Sequence, residues 1–135
     1  MKRLLIVDDS DVIRNKIDRD VANGVHPPLQ VVGKAKNGVE AIVMFKKYRP
    51  QLVTMDLTMP EMDGLQCIKE MAALDRNVNI LVISALSDEY SGLLALQYGA
   101  RGFLYKPFND YELREAVAQL LAASDLAESN HPRAS

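Results

Sequence analysis

Two strand-like apolar runs in this chain end in acid: LLIV stops at Asp8-Asp9 and LVTM stops at Asp56. Two more end in a single polar residue, ILVI at Ser84 and FLY at Lys106. If these runs lie parallel in one sheet, their carboxyl ends share an edge that gathers three carboxylates, a hydroxyl and an ammonium group. Open parallel sheets bind ligands at that edge, in the crevice where strand order reverses. Clustered carboxylates repel one another until something positive joins them, so the pattern calls for a divalent cation. A metal, a nucleophilic carboxylate, a hydroxyl donor and a lysine together make a site for phosphoryl transfer onto aspartate.

The elements that must position these groups alternate regularly along the chain. Residues 3–8 form a buried strand, because the apolar run is short and lacks helical spacing. Ser10 or Asp11 caps a helix to about Asn23, with Val12, Ile13, Ile17 and Val21 at helical spacing. A loop with Gly24 and Pro27-Pro28 leads to a strand at 30–35, and Asn37-Gly38 turns into a helix whose Ala41, Ile42, Phe45 and Tyr48 share a face. Pro50 ends that helix, and 52–56 is a third strand. Pro60 and Gly64 punctuate the way to a helix with Leu65, Ile68, Met71 and Ala72. Residues 79–84 form a fourth strand, 88–98 a helix closed by Gly99, and 102–105 a short fifth strand. Asn109-Asp110-Tyr111-Glu112 has the form of a capping box, opening a helix that turns Leu113, Val117, Leu120 and Leu121 inward. Five strands alternating with five helices predict an α/β fold with an open, doubly wound parallel sheet. The chain reads as one domain over 1–123 and a flexible polar tail over 124–135.

Composition narrows the classes further. A chain of 135 residues supports one core, and 48% hydrophobic residues is ordinary for a globular protein. A net charge of −2 offers no basic stripe for nucleic acid. Cys67 is the sole cysteine, which excludes an intramolecular disulfide and a cysteine zinc site; it is expected on a half-buried helix face. The opening MKRLLIVDD meets acid after four apolar residues, too early for a signal peptide or membrane span, so a cytoplasmic location without membrane contact is expected. Met55, Met59 and Met62 read as packing residues, and His26 in a loop and His131 in the tail are poor candidates for a phosphoryl relay.

Each polar residue singled out has a plainer reading by itself. Asp8-Asp9 suit a turn before a helix, where acids favour the N-terminal dipole. Ser84 and Lys106 suit solvated strand ends. It is their joint order that points to a site. The segments LLIVDDSDVIR, LVTMDLTMPEMDGL, ILVISALSD and GARGFLYKPF stand in the order of the response-regulator receiver domain, which residues 2–122 closely resemble.

That resemblance implies a flavodoxin-like five-stranded sheet in the order 2-1-3-4-5, and a role for each site residue. Asp56 becomes the phosphoacceptor and Asp9 a direct Mg²⁺ ligand, with Asp8 supporting the ion through water and the backbone carbonyl of Thr58 as a further ligand. Lys106 is the family's lysine, and the Lys106–Pro107 bond is expected to be cis; independently of the family, the lysine charge can pair first with Asp56 and then with a phosphoryl oxygen. Ser84 is the switch hydroxyl and Phe103 the switch aromatic. Thr58 and Leu86, each two residues beyond a site residue, flank the path of attacking water and modulate lifetime. The domain would catalyse only its own phosphorylation and dephosphorylation, rather than act as an enzyme on other substrates. Its expected partners are a sensor histidine kinase or histidine phosphotransfer protein, and a phosphorylation-dependent protein target. ISALSD and VTMDLTMPEMDG resemble chemotaxis-type stand-alone regulators; a phosphorelay intermediate is the alternative. A phosphatase of the haloacid-dehalogenase type needs a second acid two residues after its nucleophile, where this chain has Thr58. A flavodoxin needs a phosphate loop after the first strand, where DDSDVIR would repel phosphate.

Overall fold

Alternating side-chain direction along the strands divides the molecule into two faces around one sheet. The computed structural model describes residues 1–22, 24–25, 28–85 and 89–130. Its strands are β1 (Lys2–Val7), β2 (Leu29–Ala35), β3 (Leu52–Met55), β4 (Asn79–Ser84) and β5 (Gly102–Tyr105). Between and after them run α1 (Asp11–Val21), α2 (Gly38–Tyr48), α3 (Gly64–Leu74), α4 (Glu89–Tyr98) and α5 (Asp110–Asn130). Every strand pair is parallel and the order is β2-β1-β3-β4-β5, as expected. Leu4 and Ile6 pack with Ile17 and Val21 of α1 and with Leu113, Val117 and Leu121 of α5. Their neighbours Leu5 and Val7 point the other way, into a cluster with Phe45 of α2, Cys67, Ile68 and Met71 of α3, and Ala95 of α4. Period-two side-chain direction thus assigns two helices to one face and three to the other.

Local chemistry starts the helices. Ser10 caps α1 by accepting the Ile13 N–H at 3.3 Å, Asn37 caps α2 by accepting from Glu40 at 2.8 Å, and Asp63 caps α3 by accepting from Gln66 at 2.9 Å. The capping box at α5 is complete: Glu112 N–H donates to Asn109 Oδ1 at 2.7 Å, and Asn109 N–H donates to Glu112 Oε1 at 3.1 Å. Gly99 takes φ +126° after α4, a conformation open to glycine alone at low cost.

Several expectations need correction. Val12 is 72% exposed. Ile13, Ile17 and Val21 step by four along one stripe, and Val12 lies about 100° round the helix from Ile13. Cys67 is fully buried, not half-buried, because α3 turns it against α2, where its thiol donates to the Gly38 carbonyl at 3.4 Å. Burial pushes that thiol up to about 12, with Glu70 and Asp63 adding to the shift. Helix α5 runs on to Asn130, past the boundary expected near Ala123. No glycine or proline interrupts residues 124–130, and the next proline is Pro132. Asn23 and Asp88, expected as helix ends, lie outside the described residues, as do His26, Pro27 and His131. Among the described residues no helix is long and apolar enough to cross a membrane.

Candidate functional site

The sheet's strand order fixes where a ligand can sit. β1 connects to β2 through α1 on one face, and β2 connects to β3 through α2 on the other, so a crevice opens between the carboxyl ends of β1 and β3. Val7 pairs with Met55 across these two strands, and the next residues are Asp8 and Asp56. Asp8, Asp9 and Asp56 each present a carboxylate oxygen, and the three atoms lie within 4.8 Å of one another. On the far side of β3, β4 and β5 end in register at Ser84 and Tyr105, and the Lys106 N–H donates to the Ser84 carbonyl at 3.0 Å. Residues 98 positions apart meet here: Lys106 Nζ lies 2.8 Å from Asp8 Oδ2.

The carboxylates differ in their surroundings. Asp8 is 1% exposed and Asp56 5%, while Asp9 stands out in solvent. Both Asp8 oxygens are engaged, Oδ1 by the Ser10 N–H at 2.9 Å and Oδ2 by Lys106. Asp56 has a longer contact to Lys106 at 3.7 Å and accepts from the Thr58 N–H at 3.4 Å. The lysine therefore pairs with Asp56, as expected, but its closer partner is Asp8. The Asp56 carboxyl is raised from 3.8 to about 6, first by burial and then by the neighbouring Asp8 charge, with Asp9 adding a little; Lys106 and the Thr58 N–H offset only part of this.

Such a group of acids fits a hard divalent cation. Three carboxylates supply oxygen donors only, which favours Mg²⁺ or Ca²⁺ over zinc. A carboxyl held near 6, first by burial and then by the Asp8 charge, is the one a cation would return to its charged form. Close backbone packing shapes the floor: a Cβ on Gly64 would collide with the Asp56 carbonyl and stand 2.6 Å from Leu57 Cα, so only glycine lets α3 start this near β3.

The other predicted site residues fall nearby. Ser84 is fully buried at the end of β4. Phe103 is half-buried on β5, its ring 4.7 Å from that of Tyr105, beside a cavity of about 290 Å³ lined by Glu89, Gly92, Leu93 and Leu96. The Lys106–Pro107 peptide is cis. A second cavity, about 390 Å³, opens between Ile13, Lys16, Ala85 and the Lys106–Phe108 segment. Leu86 lies outside the described residues. Sequence reasoning missed Arg14, whose Nη1 donates to the Asp8 carbonyl at 2.7 Å. It also missed Tyr105, the partner of Phe103, although two aromatic residues at i and i+2 of a strand share a face.

Comparison with known proteins agrees with this arrangement. Residues 4–118 match the family described as the response regulator receiver domain. The chain is 41% identical over 120 residues to the chemotaxis protein CheY of Bacillus subtilis, covering 88% of this chain and 97% of that one. It is 39% identical over 116 residues to the chemotaxis protein CheY of Thermotoga maritima, covering 86% and 94%. Among solved structures it is similar to a chain of the CheX–CheY–BeF₃–Mg²⁺ complex of Borrelia burgdorferi, with a TM-score of 0.83, 29% identity and 89% of each chain covered.

Proposed function

The chain belongs to the response-regulator receiver family and so serves two-component signal transduction; from that premise we propose that Asp56 is its phosphoacceptor. The donor is a phosphohistidine on a sensor kinase or a histidine phosphotransfer protein in the cytoplasm. Asp9, Asp56 and the Thr58 carbonyl would hold Mg²⁺, with Asp8 supporting it through water. When bound, the ion neutralises the acidic cluster and draws charge from the phosphoryl oxygens. One observation carries this reading: a buried carboxylate ends the central strand with two further carboxylates within 4.8 Å and a lysine ammonium 3.7 Å away.

The residues divide the work. An Asp56 oxygen attacks phosphorus, the P–N bond to the donor imidazole breaks, and the imidazole leaves with the bonding pair. Lys106, anchored by Asp8, presents its charge to the equatorial oxygens as they gain negative charge. The Ser84 hydroxyl donates to the transferred group, and Phe103 follows by moving inward. The surface of α4, β5 and α5 changes as a result, and a protein target reads it. Thr58 and Leu86 tune how readily water reaches the acyl phosphate. The domain acts on no other substrate. Its similarity to chemotaxis proteins supports a place in a chemotaxis pathway.

Incubation with acetyl phosphate and Mg²⁺ tests the core of the proposal. Intact-mass measurement should find one added phosphoryl group, absent with EDTA and absent in Asp56→Asn. Phosphate retained in Asp56→Asn would sink the assignment.

A further inference from the structure

Asp8 is tied at every polar atom. Its N–H donates to the Ala35 carbonyl at 3.0 Å, Oδ1 accepts from Ser10, Oδ2 accepts from Lys106, and its carbonyl accepts from Arg14 Nη1 at 2.7 Å. The last bond is of a different kind. The Asp8 carbonyl lies beyond the β1 ladder and before the first capped turn of α1, whose Ser10 carbonyl is the first to accept from the helix, from the Arg14 N–H at 3.0 Å. It is taken by a charged, half-buried guanidinium reaching back from the helix it precedes. A contact of that length from an ionised donor is of the stronger class.

The position of that carbonyl matters because the peptide group is planar. The Asp8 C=O and the Asp9 N–H belong to one rigid unit, so fixing the carbonyl fixes the direction in which the chain delivers Asp9. Asp9 is the exposed member of the acidic cluster, in solvent where its buried neighbours are not. Its carboxylate needs its backbone held to stay within reach of Asp8 and Asp56.

We propose that Arg14 is a positioning residue for the cation site, acting through the Asp8–Asp9 peptide to aim Asp9. This rests on the reading of the acidic cluster as a Mg²⁺ site. The inference carries a sign that separates it from simpler accounts. A guanidinium acting only as a nearby positive charge would repel Mg²⁺, and its removal would tighten binding. A residue that merely stabilises the fold would shift the melting temperature and leave the affinity alone.

The experiment is a titration of the full chain with MgCl₂, followed through backbone amide NMR shifts, for wild type, Arg14→Met and Arg14→Lys. Groups that orient a metal ligand typically govern its affinity by tenfold or more, so Arg14→Met should weaken Mg²⁺ binding by about tenfold. Arg14→Lys keeps a charged donor of similar reach and should recover most of the loss. Phosphorylation by acetyl phosphate should then need more Mg²⁺ for half-maximal rate in Arg14→Met, yet return close to the wild-type rate at saturating Mg²⁺. Unchanged or tighter Mg²⁺ binding in a folded Arg14→Met overturns the proposal. If Arg14→Met does not fold, Arg14→Gln replaces it, since its shorter side chain cannot keep the bond to the Asp8 carbonyl: weaker Mg²⁺ binding supports the proposal, and unchanged or tighter binding overturns it. Wild type that binds no Mg²⁺ would instead bring down the cation site itself, and this inference with it.

Discussion

At one corner of the sheet edge, Asp8 is held by four hydrogen bonds, and β1, β3 and β4 beneath it bury almost every residue. At the other corner, β5 has no fully buried residue and α4 buries only Ala95, leaving Tyr90, Leu93, Leu96 and Tyr105 more than half exposed. Phe103 sits between these regimes, with a cavity on its α4 side. The contrast suits the two tasks proposed for these corners. A phosphoacceptor must be aimed before the donor arrives, because small errors in attack geometry are costly in rate. A readout surface needs two arrangements separated by only a few kcal/mol, which sparse packing permits and dense packing forbids.

Core truncation is the strongest way to expose that difference. Ile6→Ala, in β1 two residues before Asp8, should lower the unfolding free energy by about 3 kcal/mol. Leu93→Ala, at 59% exposure on α4, should stay within about 0.5 kcal/mol. Urea denaturation of the two variants decides it, and equal losses would erase the distinction between the corners.

The acidic corner should also be strained when no cation neutralises it. Asp56 has a folded-state value of about 6, above its ordinary 3.8. The folded state therefore binds the proton more tightly, so stability from this group is full below about pH 4 and is lost as pH rises through about 6. A displacement of this size is worth about 3 kcal/mol, as an order of magnitude. In EDTA, the stability of wild type relative to Asp56→Asn should fall between those pH values and level off above. A flat difference would mean that the fold does not raise Asp56 above its ordinary value.

A smaller effect should separate acceptance from readout. Ser84→Ala removes one hydrogen bond to the phosphoryl group, worth about 1.5–3 kcal/mol when the acceptor is charged. The variant should still take phosphate on Asp56, yet lose most of the phosphorylation-induced amide shifts in α4 and β5. Shifts of wild-type size would disconnect Ser84 from the readout corner.

The smallest change lies beneath the acids. Thr54 is 1% exposed in β3, and its hydroxyl finds no hydrogen-bond partner among the described residues. Valine has nearly the same shape without the polar group, so Thr54→Val should raise stability by about 1 kcal/mol in thermal melts. A loss would show that the hydroxyl is satisfied by solvent.

Much of this protein was written in its local sequence. Alternating apolar strands placed the three acids, Ser84 and Lys106 at one edge, and Ser10, Asn37, Asp63 and the Asn109–Glu112 box set the helix starts; each depends on residues within a few positions of one another. Tertiary structure decided what those patterns leave open. Lys106 is nearer Asp8 than Asp56, Arg14 reaches back to the Asp8 carbonyl, and Cys67 is sealed beneath α2. Periodicity and capping are short-range consequences of backbone geometry. The choice between two carboxylates 98 and 50 residues from the same lysine rests on sheet register and side-chain packing, which exist only once the whole chain has folded.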